Sequence, residues 1–457
     1  MAKSKFDFDL IVIGSGAGGS AAATIAAREG KKVAIVERDT FGGTSPNWGD
    51  IPIKAMLHVA HLYEEARQGA KFGLRSSALG YNYPSIQNWR ELATRRTGAS
   101  GNRRYYENEG VTTIVGSAHF LSPHEISVNR HQYSAAHFLI ATGANWIKPD
   151  IHGLAEIDVA TPRTIISATR PPKSLYIIGG GTTGVEIAQL LATFGTKVSI
   201  ADIAGRLLPS FDSEAGEQLA ANLHSTKDIT ALTQTRTLAI EKENIAYRVT
   251  YSRGGQEHTV RVDEVLLTAG RTPNVDLGLE NAGVHYTSKG IPVNNQLQTS
   301  AKHIYASGDV LGRNGHTHTA LLESRIAANN IIHKGKLSPD YTATPEVVFT
   351  HPGIATVGLS EDDCLRRDLN IKKAIAPLTI IARSNTSDFH EGFVKIIADK
   401  KGVLIGATIM APSAGELIHE LTLAIKYGLT AAEVAATPHA FLTWSEAIRV
   451  AAGKIAS

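Results

Sequence analysis

The sequence predicts an α/β fold with two Rossmann-like units, and three observations support this prediction. A pattern of strand, glycine-rich turn, helix and strand occurs twice along the chain. The chain has 457 residues, which favours roughly two to four domains over one core. Its 42 glycines are clustered and follow no fixed period, which is typical of turns that approach ligands and not of linkers.

The first copy of the pattern lies near the N-terminus. An apolar strand over residues 10–13 leads into the glycine turn, and the strand after the helix ends at Glu37. Gly14 permits the tight turn, Gly16 lets the backbone approach a pyrophosphate, and Gly19 lets helix and strand pack closely. The helix N-terminus attracts phosphate, and Glu37 can accept hydrogen bonds from ribose hydroxyls.

The second copy lies in the middle of the chain. A strand runs into a turn that contains Gly179, Gly181 and Gly184, and the next strand ends at Asp202. In both copies the acid follows the first glycine by 23 residues. One such motif alone is often a mere tight turn, but two copies in the same context predict two dinucleotide sites. This pattern does not assign a particular dinucleotide to either site.

Composition and charge argue against several classes of protein. The net charge of +3 comes without basic runs, so we expect no nucleic-acid partner. No apolar run of about 18 residues occurs, so we expect no membrane span. The N-terminus lacks the apolar core and cleavage site of a signal peptide. The single cysteine, Cys364, cannot form an internal disulfide, and the cytoplasm is the default expectation.

Further short motifs follow the order found in one enzyme family. They are GGT at 42–44, IPIK at 51–54, ATG at 141–143, AGRTPN at 269–274, IYASGD at 304–309, VFT at 348–350, GFVK at 392–395 and SE at 445–446. With these motifs the chain resembles the class I pyridine nucleotide-disulfide oxidoreductases over essentially its whole length. That family includes dihydrolipoamide dehydrogenase, glutathione reductase, mercuric reductase and soluble transhydrogenase.

The resemblance implies two cofactors, FAD and NAD(P)H, and a homodimer. It divides the chain into an FAD-binding domain in two parts, an NAD(P)-binding domain and a C-terminal α+β dimerisation domain, at 1–148 with 272–340, 149–271 and 341–457. Apolar residues at helical spacing after residue 341 suit the subunit interface, although a helix pair within one chain would show the same spacing. We expect NADH over NADPH, because Asp202 repels a 2′-phosphate, and the nearby Arg206 would soften this preference.

The resemblance also implies site residues. The cofactor-binding candidates are Gly14, Gly16, Gly19, Glu37, Thr44, Lys54, Ala118, Gly143, Asp309, Ala320, Gly179, Gly181, Gly184, Asp202 and Gly270. The catalytic candidates are Lys54, Glu186, Asp50 and Glu446. Asp309 would bond the ribitol of FAD, and Lys54 would pair with Glu186 beside the flavin. The segment with His316 and His318 resembles the family's helix start beneath the flavin, although the favoured interpretation is two partly exposed loop histidines. Two histidines provide too few ligands for a metal, so we expect none.

The chain departs from the family pattern at the redox-active cysteines. Relatives carry Gly-Gly-Thr-Cys-x-x-x-x-Cys, whereas this chain has Ser45 and Asp50 at the two cysteine positions. Neither side chain can store two electrons as a disulfide does. A designed trapping mutation would explain the serine but not the aspartate, so we interpret the change as natural.

Asp50 has two interpretations of equal weight. In the first, the flavin and Trp48 desolvate its carboxylate, which raises its pKa and lets it protonate the flavin or an acceptor. In the second, Asp50 follows Gly49 as a turn-capping residue whose oxygens accept from backbone N–H groups.

The second departure lies near the C-terminus. Relatives carry His-x-x-x-x-Glu, and here Phe441 stands where that histidine would be, five residues before Glu446. Phenylalanine has no titratable proton, so acid–base work on a thiol is lost together with the thiols. We interpret His439, two residues upstream, as a structural histidine at a helix start.

These features predict an FAD-dependent NAD(P)H oxidoreductase that passes two electrons from NADH through flavin directly to a small diffusible acceptor, with quinones as a plausible class. One alternative is a soluble pyridine nucleotide transhydrogenase, in which a second nucleotide is the acceptor. An alternative of another class is a non-catalytic FAD-binding redox sensor. Lys54, Glu186 and Asp202 argue against that sensor, because it needs no nicotinamide pocket.

Overall fold

A computed structural model of the chain describes residues 5–75, 78–97, 102–226, 228–313 and 315–457. The remaining residues of the predicted domains, including 1–4 at the start of the FAD-binding domain, lie outside this description. The strands are β1 (Phe8–Ile13), β2 (Val33–Glu37), β3 (Thr112–Val115), β4 (Ala118–Ser122), β5 (Glu125–Val128), β6 (His131–Ile140), β7 (Ala144–Trp146), β8 (Ser174–Ile178), β9 (Lys197–Ala201), β10 (Ile229–Leu232), β11 (Thr235–Glu243), β12 (Ala246–Arg253), β13 (Gln256–Val262), β14 (Glu264–Leu267), β15 (Arg271–Pro273), β16 (Ile304–Ala306), β17 (Glu346–Val348), β18 (Gly353–Gly358), β19 (Ile371–Pro377), β20 (Phe393–Asp399) and β21 (Leu404–Ala411).

The α-helices connect and cover these strands. They are α1 (Ala17–Arg28), α2 (Thr44–Asn47), α3 (Asp50–Gln68), α4 (Tyr83–Thr97), α5 (Arg103–Asn108), α6 (Pro162–Ile165), α7 (Thr182–Thr193), α8 (Ser213–Thr226), α9 (Thr317–His333), α10 (Glu361–Arg366), α11 (Ala382–Ser387), α12 (Ala414–Lys426), α13 (Ala431–Ala436) and α14 (Glu446–Ala456). Among the residues described, none of these helices has both the length and the apolar content needed to cross a membrane.

The chain divides into two compact units. One consists of Met1–Ala55, Ser85–Ile147 and Gly270–Asp340, and the other of Met56–Pro84, Lys148–Ala269 and Tyr341–Ser457. The finer division into three domains stays a prediction.

The first unit contains a sheet in the order β3–β2–β1–β6–β5–β4, with β16 also paired to β6. Strands β1, β2, β3 and β6 run parallel, and β2 is buried along its whole length, as expected for a sheet covered on both faces. Helices α1 and α9 pack together, and the Ser324 hydroxyl accepts from the Ala22 N–H at 3.0 Å. Because β1 lies between β2 and β6, its carboxyl end opens at a crevice of the kind that binds dinucleotides.

The second unit contains a smaller parallel sheet, in the order β10–β9–β8–β14, beside the antiparallel sheet β11–β12–β13. Its C-terminal part is the antiparallel sheet β17–β18–β21–β20–β19, with α12 and α14 packed on it. The parallel strand β8 is a short run that is buried over its last four residues, whereas β13 of the antiparallel sheet is mostly exposed. The predicted α/β fold with two Rossmann-like units and a C-terminal α+β part is confirmed.

Candidate functional site

The first glycine turn joins β1 to α1 and contains three glycines with different reasons to be glycine. Gly14 has φ +104°, and an added Cβ would lie 2.2 Å from the Ala141 carbonyl oxygen. At Gly19 an added Cβ would lie 2.1 Å from the Gly14 carbonyl oxygen. Gly16 has φ −70°, and an added Cβ would come no closer than 3.8 Å to Gly43. The fold therefore requires Gly14 and Gly19 but would accept a side chain at Gly16.

The second turn, between β8 and α7, repeats this division. Gly179 has φ +111° and an added Cβ 2.6 Å from the Thr268 carbonyl oxygen, and at Gly184 the added Cβ would lie 2.2 Å from the Gly179 oxygen. Gly181 has φ −76°, and nothing lies within 4 Å of an added Cβ. In both turns the middle glycine leaves open space at a helix N-terminus. This is the arrangement that lets a pyrophosphate approach the backbone.

The two acids also occupy equivalent positions. One oxygen of Glu37 accepts from the Ser15 N–H at 3.0 Å, and the other accepts from the N–H two residues further along at 2.9 Å. Asp202 accepts in the same way from the Gly180 N–H at 2.6 Å and from the Ala204 N–H at 2.7 Å. Each carboxylate is thus fixed beside its glycine turn. Since a carboxylate has about four acceptor sites, capacity remains for ribose hydroxyls.

Ser15 is a residue that the sequence analysis missed. Its hydroxyl donates to Glu37 at 2.7 Å and accepts from the Gly42 N–H at 2.9 Å, so it links the acid, the first turn and the Gly42–Gly43 turn. It is fully buried. A hydroxyl residue between Gly14 and Gly16 of the glycine turn is the sequence feature that could have indicated this role.

Asp309 lies in the same unit, in the 3₁₀ turn after β16. Burial raises the pKa of Asp309, although the Arg271 guanidinium opposes that shift and donates a hydrogen bond to its carboxylate. Arg271 also donates to the Ala144 carbonyl oxygen at 2.7 Å. Arg271 stood in the AGRTPN motif without a role, and the structure shows it positioning Asp309.

The other predicted cofactor residues of this unit are spread over several elements. Thr44 begins α2, Gly143 has φ +67° with open space around an added Cβ, and Gly270 has φ +113°. Ala320 is buried in α9, where its Cβ would lie 3.4 Å from a Cβ added at Gly308. Ala118 begins β4, two residues beyond a glycine whose N–H donates to the Glu37 carbonyl oxygen at 2.8 Å. This hydrogen bond places the start of β4, and so Ala118, close to the end of β2 at Glu37.

The Ser45–Asp50 pair is joined by a hydrogen bond. The Ser45 hydroxyl donates to Asp50 Oδ2 at 2.8 Å, and the Thr317 hydroxyl donates to the same oxygen at 2.7 Å. Lys54, one turn further along α3, places its Nζ 3.4 Å from Asp50 Oδ1. Asp50 is the first residue of α3, where the helix dipole favours a negative charge. The arrangement holds an aspartate anion beside the Lys54 ammonium group.

The described contacts of Asp50 differ from those expected in either interpretation from the sequence. Desolvation by burial alone would raise its pKa, but Lys54, Thr317 and Ser45 together outweigh it and lower the pKa below its usual value. The described hydrogen bonds of its carboxylate come from side chains and not from backbone N–H groups. Asp50 is therefore an ion-pair partner of Lys54, and its lowered pKa argues against a role as proton donor.

The remaining catalytic candidates lie in the second unit. Glu186 is buried in α7 and accepts from the Phe349 N–H at 2.9 Å; its pairing with Lys54 stays a prediction. Glu446 begins α14 and accepts from the Leu442 N–H at 2.9 Å. Phe441 is 74% exposed in the single chain.

The sequence predicted His439 at a helix start, and the structure shows that this position is wrong. It lies in the loop between α13 and α14, with its side chain only 4% exposed. Its Nε2 lies 2.8 Å from Glu420 Oε1 and its Nδ1 2.9 Å from the Thr437 carbonyl oxygen. These contacts fix the ring within the C-terminal part.

Two family models cover most of the chain. Residues 8–324 match the pyridine nucleotide-disulphide oxidoreductase model, and residues 344–452 match the dimerisation domain of the same family. The chain is 33% identical to a dihydrolipoyl dehydrogenase of Geobacillus stearothermophilus over 447 residues, which are 96% of this chain and 94% of that protein. It is 32% identical to a mercuric reductase of Staphylococcus aureus, over 98% of this chain and 82% of that protein.

Solved structures show the same fold. The HOCl-induced flavoprotein disulfide reductase RclA from Escherichia coli has a TM-score of 0.85 to this chain at 24% identity, covering 97% of this chain and 99% of that one. At that identity the likeness concerns the fold alone. The family models and the two relatives agree with it. The chain therefore belongs to the pyridine nucleotide-disulphide oxidoreductase family, whose members are oxidoreductases that use FAD and NAD(P)H.

Proposed function

We propose that the chain is an FAD-dependent NADH oxidoreductase that reduces a small diffusible acceptor, of the quinone type, without a redox disulfide. The observation that carries this proposal is the Ser45–Asp50 hydrogen bond of 2.8 Å, at the two positions that correspond to the family's cysteines. A hydroxyl and a carboxylate at these positions cannot form the thiolate and disulfide that reduction of a disulfide substrate needs.

Cys364 offers no substitute for the missing pair. It is the chain's single cysteine, lies in α10 and is fully buried. Burial raises the pKa of its thiol, and the neighbouring Asp363 adds to that effect, so the reactive thiolate is disfavoured. These features support a route in which no protein thiol collects electrons.

The residues of the first unit fit FAD. The open space at Gly16 suits its pyrophosphate, the fixed Glu37 carboxylate its ribose, and Asp309 its ribitol hydroxyls. When bound, FAD supplies the two-electron chemistry between nucleotide and acceptor. The protein contributes the positive charge of Lys54, which Asp50 holds in place near the turn at residues 42–44. In the second unit, the turn around Gly181 and Asp202 fits a pyridine nucleotide in the same way.

Anaerobic addition of NADH to the purified protein tests this proposal. The protein should carry about one FAD per chain with an absorbance band near about 450 nm, and NADH should bleach that band. A protein that stays colourless when supplied with FAD contradicts the cofactor assignment. A yellow protein that NADH does not bleach favours the non-catalytic sensor instead.

We predict a higher kcat/KM with NADH than with NADPH. The Asp202 carboxylate, fixed at the end of β9, can accept from a 2′-hydroxyl and repels a 2′-phosphate. Steady-state kinetics with both nucleotides and one common acceptor measure the preference. Equal or better kcat/KM with NADPH contradicts the assignment of Asp202.

We predict a homodimer through the C-terminal part. Residues 344–452 match the dimerisation domain, and this part exposes large apolar side chains in the single chain, including Phe441, Leu423 and Tyr427. Burial of such a surface between subunits is favourable because it removes apolar area from water. Light scattering at micromolar concentration should give twice the chain mass of 48.8 kDa. A monomer mass contradicts this prediction and leaves the packing of α12–α14 as an intrachain feature.

A further inference from the structure

The loop after Asp202 contains an arginine whose charge is already engaged. Arg206 lies four residues after Asp202, and its Nη2 donates to Asp362 Oδ2 at 2.6 Å. The same nitrogen lies 3.4 Å from the carbonyl oxygens of Pro209 and Phe211. A hydrogen bond between two charged groups is roughly twice as strong as a neutral one. The Arg206 guanidinium is therefore held by the carboxylate of Asp362.

This loop lies directly against the second glycine turn. The Leu208 N–H donates to the Gly180 carbonyl oxygen at 2.9 Å, and a Cβ added at Gly180 would lie 2.6 Å from a methyl carbon of Leu207. Both leucines are fully buried, which fixes the loop backbone. Arg206 thus extends from a loop in contact with the turn, at the end of β9 where a nucleotide's adenosine ribose would lie. An arginine near this position is the feature that accommodates a 2′-phosphate in NADP-binding proteins.

The partner of Arg206 is also fixed in place. Asp362 is in α10, next to Glu361, which accepts from the buried Lys395 at 2.7 Å. Lys395 is fully buried and also donates to Asp212 at 3.0 Å and to Glu214 at 2.8 Å. These residues connect the far end of the loop to β20, which carries Lys395, and to α10, which carries Asp362. The Arg206–Asp362 bond is therefore formed between two anchored segments.

We propose that Asp362 is a positioning residue that sets nucleotide specificity by holding Arg206 away from a 2′-phosphate. This inference rests on the proposed binding of a pyridine nucleotide at Asp202. With Asp362 in place, the Asp202 carboxylate repels the 2′-phosphate of NADPH, and the Arg206 guanidinium is not available to bind that phosphate. Without Asp362, Arg206 is released beside the ribose position and its charge becomes available to the 2′-phosphate.

Direct binding of 5′-AMP and 2′,5′-ADP, measured by calorimetry, tests this without turnover. For Asp362→Asn and Asp362→Ala, the ratio of the Kd for 2′,5′-ADP to the Kd for 5′-AMP should fall about tenfold, the size expected for one charge-assisted hydrogen bond. In turnover, the gain should appear in the KM for NADPH and not in kcat. Asp362→Glu, which keeps the carboxylate, should retain the wild-type ratio.

Further variants distinguish the release of Arg206 from a general change in surface charge. Glu257→Gln removes one negative charge from exposed β13 and should leave the ratio unchanged. Adding Arg206→Gln to Asp362→Asn or to Asp362→Ala should restore the wild-type ratio, and Arg206→Gln alone should change it little. A tenfold loss of 2′,5′-ADP affinity in Arg206→Gln alone overturns the proposal, because Arg206 would already serve the phosphate.

The wild-type protein separates this inference from the proposed function. Wild-type protein that binds neither mononucleotide overturns both. Wild-type protein that binds 5′-AMP, together with folded Asp362→Asn and Asp362→Ala proteins of unchanged ratio, overturns only the role of Asp362.

Discussion

Gly16→Ala should give a folded protein that no longer retains FAD, whereas Gly14→Ala and Gly19→Ala should fail to fold stably. An added methyl at Gly16 meets no protein atom closer than 3.8 Å, so its only obstacle is the proposed pyrophosphate. At Gly14 and Gly19 the methyl would lie about 2 Å from a backbone oxygen, as the distances of 2.2 Å and 2.1 Å show. The flavin absorbance per chain and the thermal unfolding midpoint measure the two effects.

The second turn provides the matched control for this experiment. Gly181→Ala should keep both fold and FAD but raise the KM for NADH at least about tenfold, which corresponds to about 1.4 kcal/mol of lost binding. Gly184→Ala should destabilise the fold as Gly19→Ala does. A Gly16→Ala protein with a full complement of FAD contradicts the placement of the cofactor in the first turn.

Lys54→Met should slow the bleaching of the flavin band by NADH about tenfold or more, which is about 1.4 kcal/mol of barrier. Lys54 is the cation that Asp50 fixes at 3.4 Å, and methionine keeps an unbranched side chain, one atom shorter, without its charge. Lys54→Arg keeps the charge and should retain most of the rate. Stopped-flow absorbance under anaerobic conditions gives the rate constant directly.

Asp50→Asn should act mainly on the other half of the reaction. The substitution leaves the positive charge of Lys54 unbalanced. Because this charge stabilises the reduced flavin, reoxidation of the flavin by the acceptor should slow. Because the pKa of Asp50 lies below its usual value, the wild-type carboxylate is ionised throughout the neutral range, and we expect no titration of this step near pH 7 from Asp50. Reduction that slows as much in Asp50→Asn as in Lys54→Met contradicts this separation of roles.

The local parts of the site could be predicted from the sequence. Each glycine turn lies within one strand–helix–strand segment, so the spacing of Gly14 and Glu37 already specifies a short-range geometry. The strand predicted over residues 10–13 is observed as Phe8–Ile13, two residues longer at its start. The position of Asp309 depended on the family resemblance, because its motif lies far along the chain from the first turn.

The long-range contacts could not be predicted. The pKa of Asp50 depends on Thr317, which is 267 residues away, and sequence reasoning supplied only the burial that would raise it. The engagement of Arg206 depends on Asp362, 156 residues further along, so Arg206 looked like a residue that would soften the NADH preference. In both cases the contacting residue lies on a distant element, so a local sequence pattern could not indicate the pKa of Asp50 or the ion pair of Arg206.

Steady-state NADH oxidation by the wild-type protein, with a panel of acceptors, tests the central claim most directly. The panel contains a quinone, a second pyridine nucleotide, lipoamide and glutathione disulfide. Turnover with the quinone, and none with either disulfide, is the result that Ser45 and Asp50 predict, since neither can act as a thiol. Turnover with the second nucleotide alone would favour the transhydrogenase. Brisk reduction of lipoamide or glutathione disulfide would contradict a route without protein thiols.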